Sequence, residues 1–241
     1  LIPRIIWQTY KDPYDVLPDY IKETTETWKS LNPEYKYVYM DDTQAAEFVL
    51  KEFGEEWHNI FITAPIGVMR GDIWRYMVIY KYGGIYADLD CICLKPIDTW
   101  INDEYSLIVC PEHEIDFCQW LFAATPGNQI IKNVLDLIKE AFKDPDYSNP
   151  HFVHAMTGPT IWTAGITKSL TFSKKYDLIK DYEEYNNLEK SKDLKFFCYG
   201  GENWRLFHHI AARNIYGSQN WTDGYVQWIA EVHKKIENTK E

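Results

Sequence analysis

Residues 2–9 form an apolar, β-branched run with little polar alternation, the pattern of a strand covered on both faces as in parallel sheets. Leu17, Ile21, Thr24, Trp28 and Leu31 then recur at helical spacing, with Pro18 where a first turn tolerates it and Asn32-Pro33 as the stop. Residues 35–40 read as a second strand ending in Asp41-Asp42. Strand, helix and strand at this spacing make a βαβ unit, whose ligand groups sit at the carboxyl ends of the strands; Thr9 and Asp41 are expected on that rim. A third unit starts at Thr63 as helix cap, with Pro65 in the first turn, and runs to Gly83-Gly84 as a left-handed stop. Ile66, Met69, Ile73, Tyr76, Met77 and Tyr80 form one stripe of that helix, while Val68, Trp74, Val78 and Ile79 cover most of the rest. Such a helix is buried nearly all round.

Residues 83–94 lead from Gly-Gly through an apolar stretch into Asp88-Leu89-Asp90, a buried strand with two acids at its exit. Residues 106–110 and 120–124 read as further strands, 128–142 as an amphipathic helix, and 144–150 as a polar turn. A helix starts at Gly158-Pro159, residues 194–198 are strand-like, and 225–236 read as a closing helix. With no repeat, low-complexity tract or linker, residues 1–241 are predicted to form one α/β domain with a mainly parallel sheet flanked by helices.

Composition narrows the function classes. The 25 basic against 36 acidic residues give a net charge of -11, which repels phosphate backbones and anionic membranes and argues against a nucleic-acid partner. The longest stretch free of acidic and basic residues, 147–167, is broken by Pro150, Gly158, Pro159 and Gly165, so no membrane span is expected. The start at Leu1 leaves room for a removed upstream signal or anchor, so the expected location is cytoplasmic, or the Golgi or ER lumen if an anchor was cut away. Five cysteines without a C-x-x-C pair read as core thiols. Aromatics at 16% read mainly as a Tyr- and Trp-rich core, with sugar-stacking platforms as the second use.

The candidate chemistry is acidic. In an extended segment residues two apart face the same way, so Asp88 and Asp90 converge while Leu89 turns to the core. Two hard oxygen ligands suit Mn²⁺ or Mg²⁺, which also takes oxygens from a substrate diphosphate. The pattern alone is common, and a second copy, Asp144-Pro145-Asp146, falls in a solvated turn. Asp72 and Arg75 are neighbours on a helix surface, and inside a buried helix their charges must be paired; Arg70, near the helix start, is placed to reach a phosphate. His208-His209 near the far end are either structural or further metal ligands, and Asn220-Trp221-Thr222 fits a glycosylation sequon.

Taken as one ordered string, these segments resemble the DXD-containing sugar-binding glycosyltransferases. That family includes the yeast-type initiating α-1,6-mannosyltransferases and the sphingolipid mannosyltransferases, with the glucosyltransferase domains of clostridial toxins as more distant kin. The resemblance runs through residues 2–9 and Asn32-Pro33-Glu34-Tyr35. It is densest over Arg70-Gly71-Asp72-Ile73-Trp74-Arg75-Tyr76 and over residues 82–90, and it resumes at Thr157-Gly158-Pro159. It implies a GT-A fold, with 1–100 as a nucleotide-sugar-binding half and 101–241 as an acceptor-side half. It also implies retaining transfer of a hexose from a nucleoside-diphosphate sugar, GDP-mannose first and UDP-hexoses next, to a hydroxyl of a glycan, lipid or protein. On that likeness Trp7, Gln8 and Thr9 contact the nucleotide, Asp72 and Arg75 the donor sugar, and Asp88 the sugar or ribose. Asp90, with Asp88, holds the metal; His209, then His208, supply a further ligand, and Ser218 and Trp221 touch the nucleotide side.

Two other readings compete. An apolar strand ending in Asp88-x-Asp90 also suits a haloacid-dehalogenase-type phosphatase with Asp88 as nucleophile, although that type opens its fold with the motif. A silent carbohydrate-binding protein fits the aromatics and not the acids.

Overall fold

The computed structural model describes residues 1–101, 106–109, 117–169, 194–196 and 212–214. Its strands are β1 (Ile5–Thr9), β2 (Lys36–Met40), β3 (Gly84–Ala87), β4 (Cys91–Cys93), β5 (Leu107–Val109), β6 (Leu121–Ala124), β7 (Leu194–Phe196) and β8 (Ala212–Asn214). The helices are α1 (Asp19–Leu31), α2 (Asp42–Phe53), α3 (Glu55–Thr63), α4 (Gly67–Tyr82), α5 (Gln129–Ala141), α6 (Phe152–Met156) and α7 (Pro159–Ser169). Six strands form one sheet in the order β2-β1-β3-β6-β5-β7. β1 is parallel to β2 and β3, and β5 to β7, while β6 runs antiparallel to both β3 and β5. The small second sheet pairs β4 with β8.

Alternation along the central strands splits the core in two. Ile6 of β1 and Ile85 and Ala87 of β3 face a cluster with Trp28 of α1, Cys91, Cys93, Trp100 and Trp120. Trp7 and Tyr86 face the opposite way, into the larger cluster built on α4, α5 and α7. The aromatics are chiefly core, as composition suggests: Trp28, Trp74, Trp162, Tyr76 and Tyr86 are all fully buried. Each such side chain removes apolar area worth about 1.5–3 kcal/mol. Cys91, Cys93 and Cys118 are buried free thiols, while Cys110 and Cys198 lie outside the described residues. No described helix is long and apolar enough to cross a membrane.

The α4–β3 connection places the site. α4 buries Met69 and every residue from Asp72 to Ile79, as its all-round apolar wheel requires. It ends at Gly83 and Gly84, both with positive φ, +67° and +106°. A Cβ on Gly84 would stand 2.5 Å from the Ile5 carbonyl, so only glycine lets β3 run back beside β1.

Two expectations are corrected, and Asp41 gains a role. Thr63 does not cap α4; it ends α3, its hydroxyl donates to Asn59 O at 2.6 Å, and α4 starts after Ile66. Asp41 does stand at the carboxyl end of β2, and there it caps α2, its carboxylate accepting from Gln44 N in a capping box. The buried strand expected through residue 94 stops at Ala87. The chain turns over Leu89-Asp90 and resumes as β4 in the second sheet, because its partner there is β8 from far along the chain.

Candidate active site

The Asp88-Leu89-Asp90 turn is fastened through its backbone. Asp88 N donates to Trp120 O at 2.8 Å, extending the β3–β6 pairing by one residue. Its carbonyl accepts from Gln8 Nε2 at 3.0 Å and from Cys91 N at 3.1 Å. Leu89 is buried at 6% exposure, so the turn is anchored between its two acids. Although the segment is not extended, Leu89 still faces the core while Asp88 and Asp90 both remain half-buried.

A chain of charges backs this turn from α4. Arg75 Nη2 lies 3.2 Å from Asp72 Oδ1 and 3.1 Å from Asp88 Oδ1, bridging two carboxylates. Its Nη1 donates to Gln119 O at 3.2 Å, and its guanidinium lies 4.8 Å over the Tyr86 ring. Arg75 is 5% exposed, Asp72 1%, and the Asp88 side chain 23%, so the chain runs from the interior to the surface. Asp72 also accepts from Thr157 Oγ1 at 2.9 Å and from Gln119 Nε2 at 3.2 Å.

Burial pushes the Asp72 carboxyl up to about 7, against the opposing pull of Arg75, Thr157 and Gln119. The Arg75 guanidinium is held well above its ordinary value: the neighbouring carboxylates and phenols outweigh burial. Burial raises the Tyr76 and Tyr86 phenols, so both act as donors, Tyr86 to Asp88 Oδ1 and Tyr76 to Gln119 Oε1. With Asp72 ionised, the Asp72–Arg75–Asp88 cluster carries a net charge of minus one, an environment that favours a cation in front of it.

The structure joins Asp72, Arg75 and Asp88 by direct contacts and places Asp90 in the same turn as Asp88. It does not bring Trp7 to the rim: the indole is 5% exposed, stacks on Tyr82, meets Trp74 edge-on, and donates to Gly83 O at 2.8 Å. Gln8 is fully buried, its amide carbonyl accepting from Tyr37 OH and its amide N–H donating to the Asp88 carbonyl. Its visible work is therefore to hold the turn. Thr9 stays on the half-buried end of β1, donating to Met40 O, and Arg70 pairs with Asp42 at 3.0 Å. His208, His209, Ser218 and Trp221 lie outside the described residues. Sequence reasoning missed Tyr76, Tyr86, Gln119 and Thr157 as site members. Thr157 carried a signal, its place before Gly158-Pro159, whereas Gln119 is a lone polar residue in an apolar stretch.

Sheet order, the α4–β3 turn and the acid pair define a GT-A-type α/β fold. The glycosyltransferase PaToxG superposes with a TM-score of 0.55 at 20% identity, over 79% of this chain and 76% of that one. Residues 18–107 match the family model described as glycosyltransferase sugar-binding region containing DXD motif. Among curated proteins, the initiation-specific alpha-1,6-mannosyltransferase of Schizosaccharomyces pombe is 34% identical over 198 residues, covering 71% of this chain and 49% of the relative. Inositol phosphoceramide mannosyltransferase 3 of the same yeast is 36% identical over 240 residues, covering 90% and 62%. The chain thus spans about half to three fifths of the length of these relatives.

Proposed function

We propose that the chain is a metal-dependent retaining glycosyltransferase that moves a hexose from a nucleoside-diphosphate sugar to an acceptor hydroxyl of a glycan, lipid or protein. The observation that carries this reading is the Asp72–Arg75–Asp88 charge chain, delivered by a buried helix to the turn that bears Asp90. Names of the related proteins favour mannose, hence GDP-mannose as donor, with UDP-hexoses next.

The donor set fits a hard divalent cation, since Asp88 and Asp90 offer carboxylate oxygens two residues apart in a clamped turn. Asp88 spends Oδ1 on Arg75 and Tyr86, so Asp90 is assigned the leading part in holding Mn²⁺ or Mg²⁺. Among the described residues no three His, Cys, Asp or Glu side chains gather as a metal cluster. The remaining ligands are therefore assigned to the donor's diphosphate and to His209 or His208. A bound ion supplies charge neutralisation for the departing diphosphate.

The protein's own groups do the rest. Breaking the anomeric C–O bond leaves a cation-like sugar, and the Asp72–Arg75–Asp88 cluster, net negative when Asp72 is ionised, stabilises it electrostatically in a desolvated setting. The acceptor oxygen bonds to the anomeric carbon on the face the diphosphate leaves, and its proton passes to the leaving diphosphate oxygen. Asp72 is 1% exposed and Asp88 Oδ1 is already held by two donors. Neither is presented as a nucleophile, which supports a front-face route without a covalent sugar–enzyme intermediate and weighs against the phosphatase reading of Asp88. Screening GDP- and UDP-sugars for Mn²⁺-dependent release of nucleotide tests the proposal. Release from one donor class is expected, and silence with every donor in the presence of acceptor glycans or lipids would reject it.

A further inference from the structure

The donor-side charges are not held by the first half of the chain alone. Asp72 receives two of its hydrogen bonds from Gln119 and Thr157, residues that belong to the half expected to serve the acceptor. Thr157 is fully buried directly after α6, where its hydroxyl has a local alternative, the Val153 carbonyl at 3.3 Å. A hydroxyl has one proton, and the nearer acceptor is Asp72 Oδ2 at 2.9 Å; a carboxylate is also the stronger acceptor. Were packing the only demand, valine would fill the same volume without the cost of burying a hydroxyl.

The surrounding backbone is shaped for this delivery. Thr157 N and Gly158 N both donate to Val153 O, at 3.0 and 2.9 Å, closing the turn that presents the side chain. A Cβ on Gly158 would stand 2.8 Å from His154 Cα, so a larger residue would force the turn open. Pro159 then starts α7, which pins the strip carrying Gln119: Trp162 Nε1 donates to Cys118 O at 3.0 Å, and Phe117 N donates to Thr163 Oγ1 at 2.8 Å. So fixed, Gln119 grips both members of the buried pair, Asp72 with its side chain and Arg75 with its carbonyl. Tyr76, stacked on Trp162 at 5.2 Å, caps the Gln119 amide oxygen.

We infer that Thr157, together with Gln119, is a positioning residue for the Asp72–Arg75–Asp88 chain, and that the Thr157-Gly158-Pro159 turn serves to aim the Thr157 hydroxyl at Asp72. The inference rests on the glycosyltransferase reading above. Loosening Asp72 frees Arg75 to swing toward Asp88, and misplacement of charges that act in the transition state lowers kcat.

The test is a kinetic double-mutant cycle on nucleotide release from the donor sugar, with Thr157→Val, Thr157→Ser, Asp72→Asn and the Val/Asn double variant. Loss of a hydrogen bond to a charged group corresponds to a kcat lower by about 10–100-fold in Thr157→Val. Affinity for the free nucleoside diphosphate stays unchanged, and Thr157→Ser restores most of the rate. In the Asp72→Asn background Thr157→Val costs no more than about twofold, since the bond it removes no longer acts on a carboxylate. A Thr157→Val enzyme as fast as the parent, or losses that multiply in the double variant, overturns the inference. Should Thr157→Val fail to fold, Gln119→Met, which removes the other donor, goes through the same cycle under the same expectation. A wild-type protein silent with every donor overturns the functional reading and this role together; an active wild type beside an equally active Thr157→Val overturns this role alone.

Discussion

The chain contains the same Asp-x-Asp pattern twice, and the two copies have opposite fates. Asp144 and Asp146 stand exposed in the loop after α5, and Asp146 folds back on its own backbone, accepting from Ser148 N at 3.1 Å and from the Ser148 hydroxyl. Asp88 and Asp90 sit in a turn between two buried strands, clamped by Gln8 and Trp120 and faced by a buried arginine. The difference is in what stands behind each pair. A carboxylate pair satisfied by its own loop is a turn device. A pair backed by an arginine that is itself held by a buried acid is fixed in space before any ligand arrives, which is the condition for electrostatic catalysis.

Substitutions sharpen that contrast. Asp90→Ala is expected to lower Mn²⁺-dependent nucleotide release by on the order of 10²–10³-fold, the loss typical of a transition-state charge stabiliser. The measurement is steady-state turnover at saturating metal, and activity equal to wild type would break the contrast. Next in size, Arg75→Met leaves the buried Asp72 and the half-buried Asp88 without their shared cation and should destabilise the fold by about 3–5 kcal/mol, read from urea unfolding midpoints. Gln8→Met removes one of the two donors to the Asp88 carbonyl, which keeps Cys91 N, and takes from the Tyr37 hydroxyl its acceptor, at a cost of about 1–3 kcal/mol. Its turnover should fall as the turn loosens, and a variant with unchanged stability and rate would show that the clamp is idle.

The pH dependence carries a sign. The Asp72 carboxyl, pushed up by burial to about 7 in the folded protein from an ordinary 3.8, binds its proton more tightly folded than unfolded. Its contribution to stability is therefore greatest in acid and declines as pH rises from about 4 to about 7. Asp72→Asn should remove that part of the slope in stability measured against pH; an unchanged slope would contradict it. Asp146, whose carboxyl the Ser148 hydroxyl holds below its usual range, has the opposite sign, contributing above that range and less in acid. At the bottom of the scale, Asp144→Asn and Asp146→Asn should leave turnover unchanged.

Much of the site was legible because its residues lie in one dense stretch. Helical spacing joins Asp72 to Arg75, and Gly83-Gly84 marks the reversal that carries Asp88 and Asp90 back beside β1. The flaw lay in continuity: residues 91–93 are as apolar as 84–87, and nothing local says that the second run belongs to another sheet, because its partner strand lies at 212–214. No helix is read from the sequence over 42–53, although Asp41 and Gln44 have the capping-box spacing that starts α2 at the end of β2. Gln119 and Thr157 were illegible for a different reason. Their contacts with Asp72 span 47 and 85 positions, so Thr157-Gly158-Pro159 marks a segment of interest but no local pattern records the partner of either residue.

The most direct test of the contrast is Mn²⁺ binding followed by electron paramagnetic resonance in the presence of nucleoside diphosphate. The wild type and the Asp144→Asn/Asp146→Asn protein should each bind one tight ion, while Asp90→Asn should lose it. Undiminished Mn²⁺ binding by Asp90→Asn, or loss of the ion from the Asp144→Asn/Asp146→Asn protein, would contradict the assignment of the metal to the clamped turn.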